Sequence, residues 1–329
     1  MNRKINVALA LTIVLGLGWM LLPGAGFCAY PVDKLTIVVP YPTGGTTDRL
    51  ARARTPALSK QLGVPVTIAN REGGGSIVGI KAHLKNDPAD GSFIVYQIQP
   101  YLSGGIIKGA WKLSDFDYLG LDYWSPQSIW VRKDSKYKTL EQLFEAIKTD
   151  PKKIKHAYLP NSWALPIIAL LKERIGAEPK AIPYQGGGPQ RLAIIAGDVD
   201  FGVTELYGTR AAAEADLKPL CVFDTARVTS AYPETPTINE VMKKMGLKAM
   251  PIVSNFRFYL VKKGFKQKYP DRWDTLVKAM QKASADPEFK DILSKQKLVA
   301  TWKGPEECER AVVESDQFCQ QFKAFFKFK

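Results

Sequence analysis

Beyond residue 34 the chain repeats one pattern. A short apolar run rich in β-branched residues leads into a glycine- or proline-bearing loop, then a longer stretch with apolar residues at helical spacing. Leu35–Val39 (LTIVV) reads as a buried strand, PYPTGG as the loop, and TTDRLARARTPALSKQLG as a helix opened by Thr46 or Thr47. Asp48 falls in the first turn, where a negative side chain suits the helix dipole. Gly63 closes the segment as a C-terminal cap, and Pro56 is expected to kink it. The pattern returns as VPVTIANREGGGSIVGIKAHL, followed by the turn DPADG and a strand over 92–98.

A second series begins near Ile154. KIKHAYL is a strand, PNSW a loop and ALPIIALLKERIG an apolar-faced helix ending at Gly176. Then AIPY is a short strand, QGGG a loop, and PQRLAIIAG a helix with Pro189 at its first position and Gly197 past its end. VDFGV and LKPLCVFD follow as strands, and NFRFYLVKK after Pro251 as one more, before helical text from Tyr269 onward. Strands alternating with helices predict an α/β fold with parallel sheet, the helical tail packing back on the first lobe. No repeat of fixed period and no low-complexity tract occurs.

The segment before this pattern differs. Arg3 and Lys4 precede an apolar run from Val7 to Leu22, then small residues and helix breakers up to Ala29, the layout of a cleavable signal peptide over 1–29. Cys28 offers a lipid-anchor alternative, against which the bulky Phe27 argues. Export into solution is therefore expected. The remaining 300 residues suggest two domains, each able to bury a core, and hence a cleft. Loss of Arg3 and Lys4 lowers the formal charge from +14 to +12, a field that attracts anionic solutes. Cys221, Cys308 and Cys319 are an odd set and imply no disulfide framework. On one helix Cys308 and Cys319 would lie roughly 16 Å apart, beyond bridging distance.

Three loops share one design, glycines after a strand and before a helix: Thr43-Gly44-Gly45, Gly73-Gly74-Gly75 and Gly186-Gly187-Gly188. Each satisfies a tight turn, and each also bares backbone N–H groups that suit a carboxylate or phosphate at a helix N-terminus. In open α/β sheets ligands bind beyond the carboxyl ends of strands, where the first loop and the loops at Asn161 and Gly186 all fall. Arg49 stands where a Walker loop needs Gly-Lys, and no triple glycine extends to G-x-G-x-x-G. Ser76 lacks the closing glycine of a nucleophile elbow, and His83 and His156 read as structural histidines. No cluster has metal-ligand spacing, and no cofactor is implied. Tyr41, Tyr101, Tyr123, Trp124, Trp130, Trp163, Tyr184 and Tyr207 crowd the expected cleft, with Tyr41 and Trp163 inside loops as walls for a ligand body. The basic stretches at 262–272 and the QFKAFFKFK end carry no RNP-type motif and read as solvated faces, not a nucleic-acid surface.

Taken in order, YPVDKLTIVVPYPTGGTTDRLAR, QLGVPVTIANREGGGSIVGI, DPADGSFIVYQ, LSDFDYLG, IPYQGGGPQRLAIIAGDVDF and YPETPTINEVMKKMG resemble the solute receptors of tripartite tricarboxylate transporters, the TctC-like or Bug family. The likeness runs over the whole mature chain. It implies a periplasmic-binding-protein type of fold, class II-like, with two α/β lobes and a ligand cleft between them. Residues 30–129 and 255–329 would form lobe 1, and 130–254 lobe 2. By the same resemblance a carboxylate is held by Tyr41, Thr43, Gly44, Gly45, Thr46, Thr47 and Asp48 of the first loop, by Asn161 and Ser162, and by Gln185, Gly186 and Gly187. Two departures stand out. Trp163 sits where the family has a Gly/Ser-rich loop entering a helix, and Thr204-Glu205-Leu206 replaces an aromatic-Asp-Asn sequence.

The expected function is capture of a small organic carboxylate in the periplasm, without catalysis, by a monomer that delivers it to large and small membrane subunits. Choice among carboxylates is expected to reside around Asn161–Trp163. A metabolite sensor with the same cleft is the alternative, and an exported hydrolase lacks a nucleophile and base.

Overall fold

In the first apolar run every side chain is buried, so β1 (Leu35–Val39) forms as a strand covered on both faces. The computed structural model describes Tyr30 and residues 32–326; the expected signal peptide, with Cys28, and the last three residues lie outside them. From β1 the chain enters α1 (Thr46–Leu62), which ends in a left-handed Gly63 cap. The helix continues through Pro56. There the Thr55 hydroxyl donates to the Arg52 carbonyl, the acceptor that a proline N–H cannot serve. β2 (Val66–Asn70), α2 (Ile77–Asn86), β3 (Phe93–Gln99) and the short α3 (Tyr101–Ile107) follow. β1 pairs in parallel with β2 on one side and β3 on the other.

The chain then runs through β4 (Phe116–Arg132), one 17-residue strand. Its bulges near Gly120 and Tyr123 and the interrupting Ser125-Pro126 break the apolar alternation by which a strand is recognised. Beyond it come α4 (Leu140–Thr149), β5 (Lys155–Tyr158), α5 (Ala164–Ile175), β6 (Lys180–Pro183), α6 (Gly187–Ala196), β7 (Phe201–Glu205), α7 (Leu206–Ala213), β8 (Leu217–Val222) and α8 (Ile238–Lys244). α6 starts two residues earlier than the sequence predicts. Pro189 is therefore its third residue, still within the first turn, where no N–H is needed. β9 (Ser254–Lys262) leads to the helical tail: α9 (Phe265–Lys268), α10 (Pro270–Ala285), α11 (Pro287–Lys295), α12 (Pro305–Gln321) and α13 (Lys323–Phe326).

The strands run in the order β2-β1-β3-β9-β4-β7-β5-β6, with β8 also on β4. β4 changes partners midway. Phe116–Pro126 pair antiparallel with β9, while Gln127–Arg132 lie between β7 and β8. One half-sheet thus contains β1, β2, β3 and β9, the other β5 to β8, and β4 runs from one into the other. Each half carries apolar clusters built with its helices. Leu50, Leu58, Trp273 and Leu276 from α1 and α10 pack beside Leu35 and Ile37, and Cys308 and Val312 of α12 beside Val38 and Phe258. In the other half Phe144, Ile168 and Phe201 form one cluster, Trp130, Ile194 and Leu206 another. This is the α/β arrangement the alternating pattern predicts; α10, α11 and the first part of α12 return to the first half as expected, but the end of the tail does not, because Cys319 of α12 and Phe326 of α13 pack in the Phe144 cluster of the other half. Cys221, Cys308 and Cys319 are free and buried in these clusters.

Candidate functional site

The loops that follow β1, β5, β6 and β7 all leave the carboxyl ends of their strands and converge on one cavity. The cavity has a volume of about 80 Å³. Its first wall is Tyr41, Pro42, Thr43, Gly45, Thr46 and Thr47. Gly45 enters α1 in an extended conformation without a side-chain cap, so the first-turn amides of α1 have no intrahelical acceptor. Those donors and the helix dipole suit an anion. The opposite wall is Tyr184, Gln185, Gly186, Gly187, Gly188 and Arg191 from the β6–α6 region, with Thr204 and Glu205 at the end of β7. Gly75, Ile98, Tyr101, Leu159, Pro160, Pro189, Asn255 and Arg257 complete the lining.

Of the sequence-predicted residues, Tyr41, Thr43, Gly45, Thr46, Thr47, Tyr101, Gln185, Gly186, Gly187, Thr204 and Glu205 are brought together here. Tyr41 and Tyr101 meet edge to face at 5.5 Å, and the Tyr41 hydroxyl donates to Gln97. Gly44, Asp48, Asn161, Ser162 and Trp163 stand outside the lining. Gly44 and Asp48 support the first wall from behind. The Gly44 amide donates to the Asp48 carboxylate at 2.9 Å, and Arg52 and Asn70 donate to the same group. Burial alone would raise the Asp48 pKa, but these hydrogen bonds outweigh it and lower it.

Asn161 ties the loops across the cleft. Its Nδ2 donates to the carbonyls of Gly74 and Gly75 at 3.1 and 3.2 Å. Gly75 has φ of +62°, and a Cβ there would lie 2.6 Å from the Pro160 carbonyl oxygen, so a glycine is needed where the loops meet. Ser162 closes its own turn on the Leu159 carbonyl and accepts from the Ala164 amide. Trp163 departs furthest from expectation. It is 2% exposed, donates from Nε1 to the Ser254 carbonyl, and packs among Phe318, Phe322 and Phe326 of the C-terminal helices. Its ring faces the core, so it is not a cleft wall. The aromatic partners that draw it there lie over 150 residues downstream.

Two arginines escaped the sequence reading. Arg257, on β9, is 3% exposed and crosses the cleft to Glu205, with Nη1 donating to Oε2 and Nη2 to Oε1, both at 2.7 Å. Its Nε donates to the Thr47 hydroxyl at 2.9 Å, and its guanidinium lies 4.5 Å from the Tyr123 ring centre. Burial alone would lower the Arg257 pKa, but the Glu205 carboxylate outweighs it and raises it. Arg191, on α6, is 7% exposed, and no ion pair or hydrogen bond engages its side chain among the described residues. Burial, reinforced by Arg49 and Arg257 nearby, lowers its pKa against the pull of Glu205. Such a cation is costly until an anion joins it. The Asn255 Oδ1 is also buried in the lining without a donor. His83 and His156 are both fully buried and absent from the lining.

A family model described as Tripartite tricarboxylate transporter family receptor matches residues 50–317. Among curated relatives, a UPF0065 protein in the TAR-I ttuE-ttuC' intergenic region of Agrobacterium vitis is 28% identical over 64% of this chain and 62% of its own length. The fold is that of the periplasmic binding protein BugD, with a TM-score of 0.76 at 24% identity, covering 90% of this chain and 98% of the other. R. palustris Rpa4515 with adipate superposes equally, TM-score 0.76 at 21% identity over 90% and 98% of the two chains.

Proposed function

The chain belongs to the tripartite tricarboxylate transporter receptor family, and on that premise we propose that it is a periplasmic solute receptor that closes its two lobes on a small organic carboxylate. The observation that carries this reading is Arg191, whose side chain lines the cleft at 7% exposure with no counter-ion bonded to it among the described residues. The first-turn amides of α1 supply the matching donors on the opposite wall. Adipate bound to a protein of the same fold supports a carboxylate as the ligand class. We place the lobe boundaries at 30–129 with 255–329 and at 130–254, and assign the captured acid to delivery by a monomer to large and small membrane subunits. The segment 1–29 would direct export and be removed.

The test is a thermal-shift screen of organic acids followed by calorimetry of the best one. A bound acid raises the melting temperature with its concentration. Arg191→Gln should weaken it about tenfold to a hundredfold, the worth of one charged hydrogen-bonded contact. An acid that binds this variant as tightly as the parent would remove Arg191 from the site.

A further inference from the structure

Three charged side chains line the cleft, Arg191, Arg257 and Glu205, and two of them are already committed to each other. Glu205 takes both terminal nitrogens of Arg257 in a fork–fork pair, and Thr47 takes the third donor of that fork. Tyr123 lies against the guanidinium. Arg257 therefore has little left for a ligand anion, and the Glu205 charge is met by Arg257. Asp48 and Arg52 neutralise each other outside the lining. Arg49, which adds to the positive field at Arg191, is itself bonded to Gln296 and stands outside the lining. Arg191 is thus the one lining cation without a bonded carboxylate among the described residues, and Gln296, being neutral, leaves the Arg49 charge to reinforce it.

We infer that the cleft selects acids with one carboxylate and an uncharged far end, and that Glu205, by occupying Arg257, denies a second carboxylate the cation it would need. This rests on the receptor reading above. A second carboxylate in the cavity would find Arg257 already taken by Glu205 and no second unpaired cation in the lining, and its desolvation would go uncompensated. Leaving a ligand's charge without a partner is a recognised source of specificity. The rest of the lining suits an uncharged end. Ile98, Leu159, Pro160 and Tyr184 offer apolar surface, and Asn255 offers one unpartnered oxygen to a hydroxyl donor.

The experiment is calorimetry of the full mature chain with acids paired by skeleton, a methyl in one member replacing a carboxylate in the other: butanoate with succinate, 3-hydroxybutanoate with malate, and hexanoate with adipate. The best monocarboxylate should bind at least tenfold more tightly than its dicarboxylate twin. Glu205→Gln, which frees Arg257 from its counter-charge, should narrow or reverse that ratio, whereas a purely structural Glu205 would weaken both twins alike. A dicarboxylate that binds the parent chain as tightly as its twin overturns the inference and leaves the receptor reading standing. Failure of all six acids to bind overturns the small-carboxylate reading itself. Should Glu205→Gln not fold, the ratio measured on the parent chain still decides.

Discussion

His156 lies on β5 with neither ring nitrogen hydrogen-bonded, between the rings of Tyr158 and Phe201. Burial holds its pKa down from the ordinary 6.5 to about 4. The unfolded chain therefore binds the proton more readily than the folded one. Its contribution to stability is complete above pH 6.5 and lost as pH falls toward 4, by up to about 3 kcal/mol. His83 is depressed in the same direction, chiefly by burial against the opposing pull of Asp87, and adds to the effect. Replacing His156 with Phe should flatten this part of the profile in urea titrations, and an unchanged slope between pH 6.5 and 4 would refute the assignment. At this scale the sequence was readable where chemistry is local. The glycine loops announce themselves by composition. Arg191 and Arg257 do not, because one sits in an amphipathic helix and the other in an apolar strand, where an arginine's contacts depend on which tertiary neighbour it meets.

Among the elements, one buried ion pair fastens the helices to the first half-sheet. Arg54 of α1 bonds Asp122 of β4, which also accepts from the Tyr96 hydroxyl of β3 at 2.6 Å, while Arg54 reaches Ser284 of α10. Both charged side chains are at most 1% exposed. Asp122→Ala would strand the guanidinium, and chemical denaturation should show a loss of roughly 3–5 kcal/mol. A loss below about 1 kcal/mol would mean that the site rearranges or takes up water. Trp163 has a comparable place in the other half, where Trp163→Ala should cost about 3–5 kcal/mol with the affinity for the acid largely kept. A selective loss of affinity would restore it to the cleft. The regular strand–loop–helix units were legible because hydrophobic period and glycine punctuation agree. β4 was not, since its bulges and its change of partners erase the alternation, and α3 and α7 are too short to show a period.

For the molecule as a whole, the loops of the two halves touch. A Cβ added at Gly186 would lie 2.8 Å from Pro42 on the opposite wall, although the extended backbone at Gly186 suits any residue. Gly186→Ala should therefore leave folding stability near that of the parent yet hold the halves apart. Small-angle scattering should show a larger radius, and calorimetry a weaker acid. Unchanged scattering with full affinity would mean that Pro42 yields at no cost.

β9 is threaded between β3 and β4, so the first half-sheet stays divided until residues 254–262 have joined it. β5 to β8 need only β4, which precedes them in the chain. Lower contact order favours the half that closes locally. Pulse-labelled exchange during refolding should accordingly protect amides of β5 and β7 before those joining β3 to β9, and the reverse sequence would contradict it. The half whose strands are drawn from distant parts of the polypeptide is then the last to assemble, and the wall of α1 proposed to hold the carboxylate matures with it.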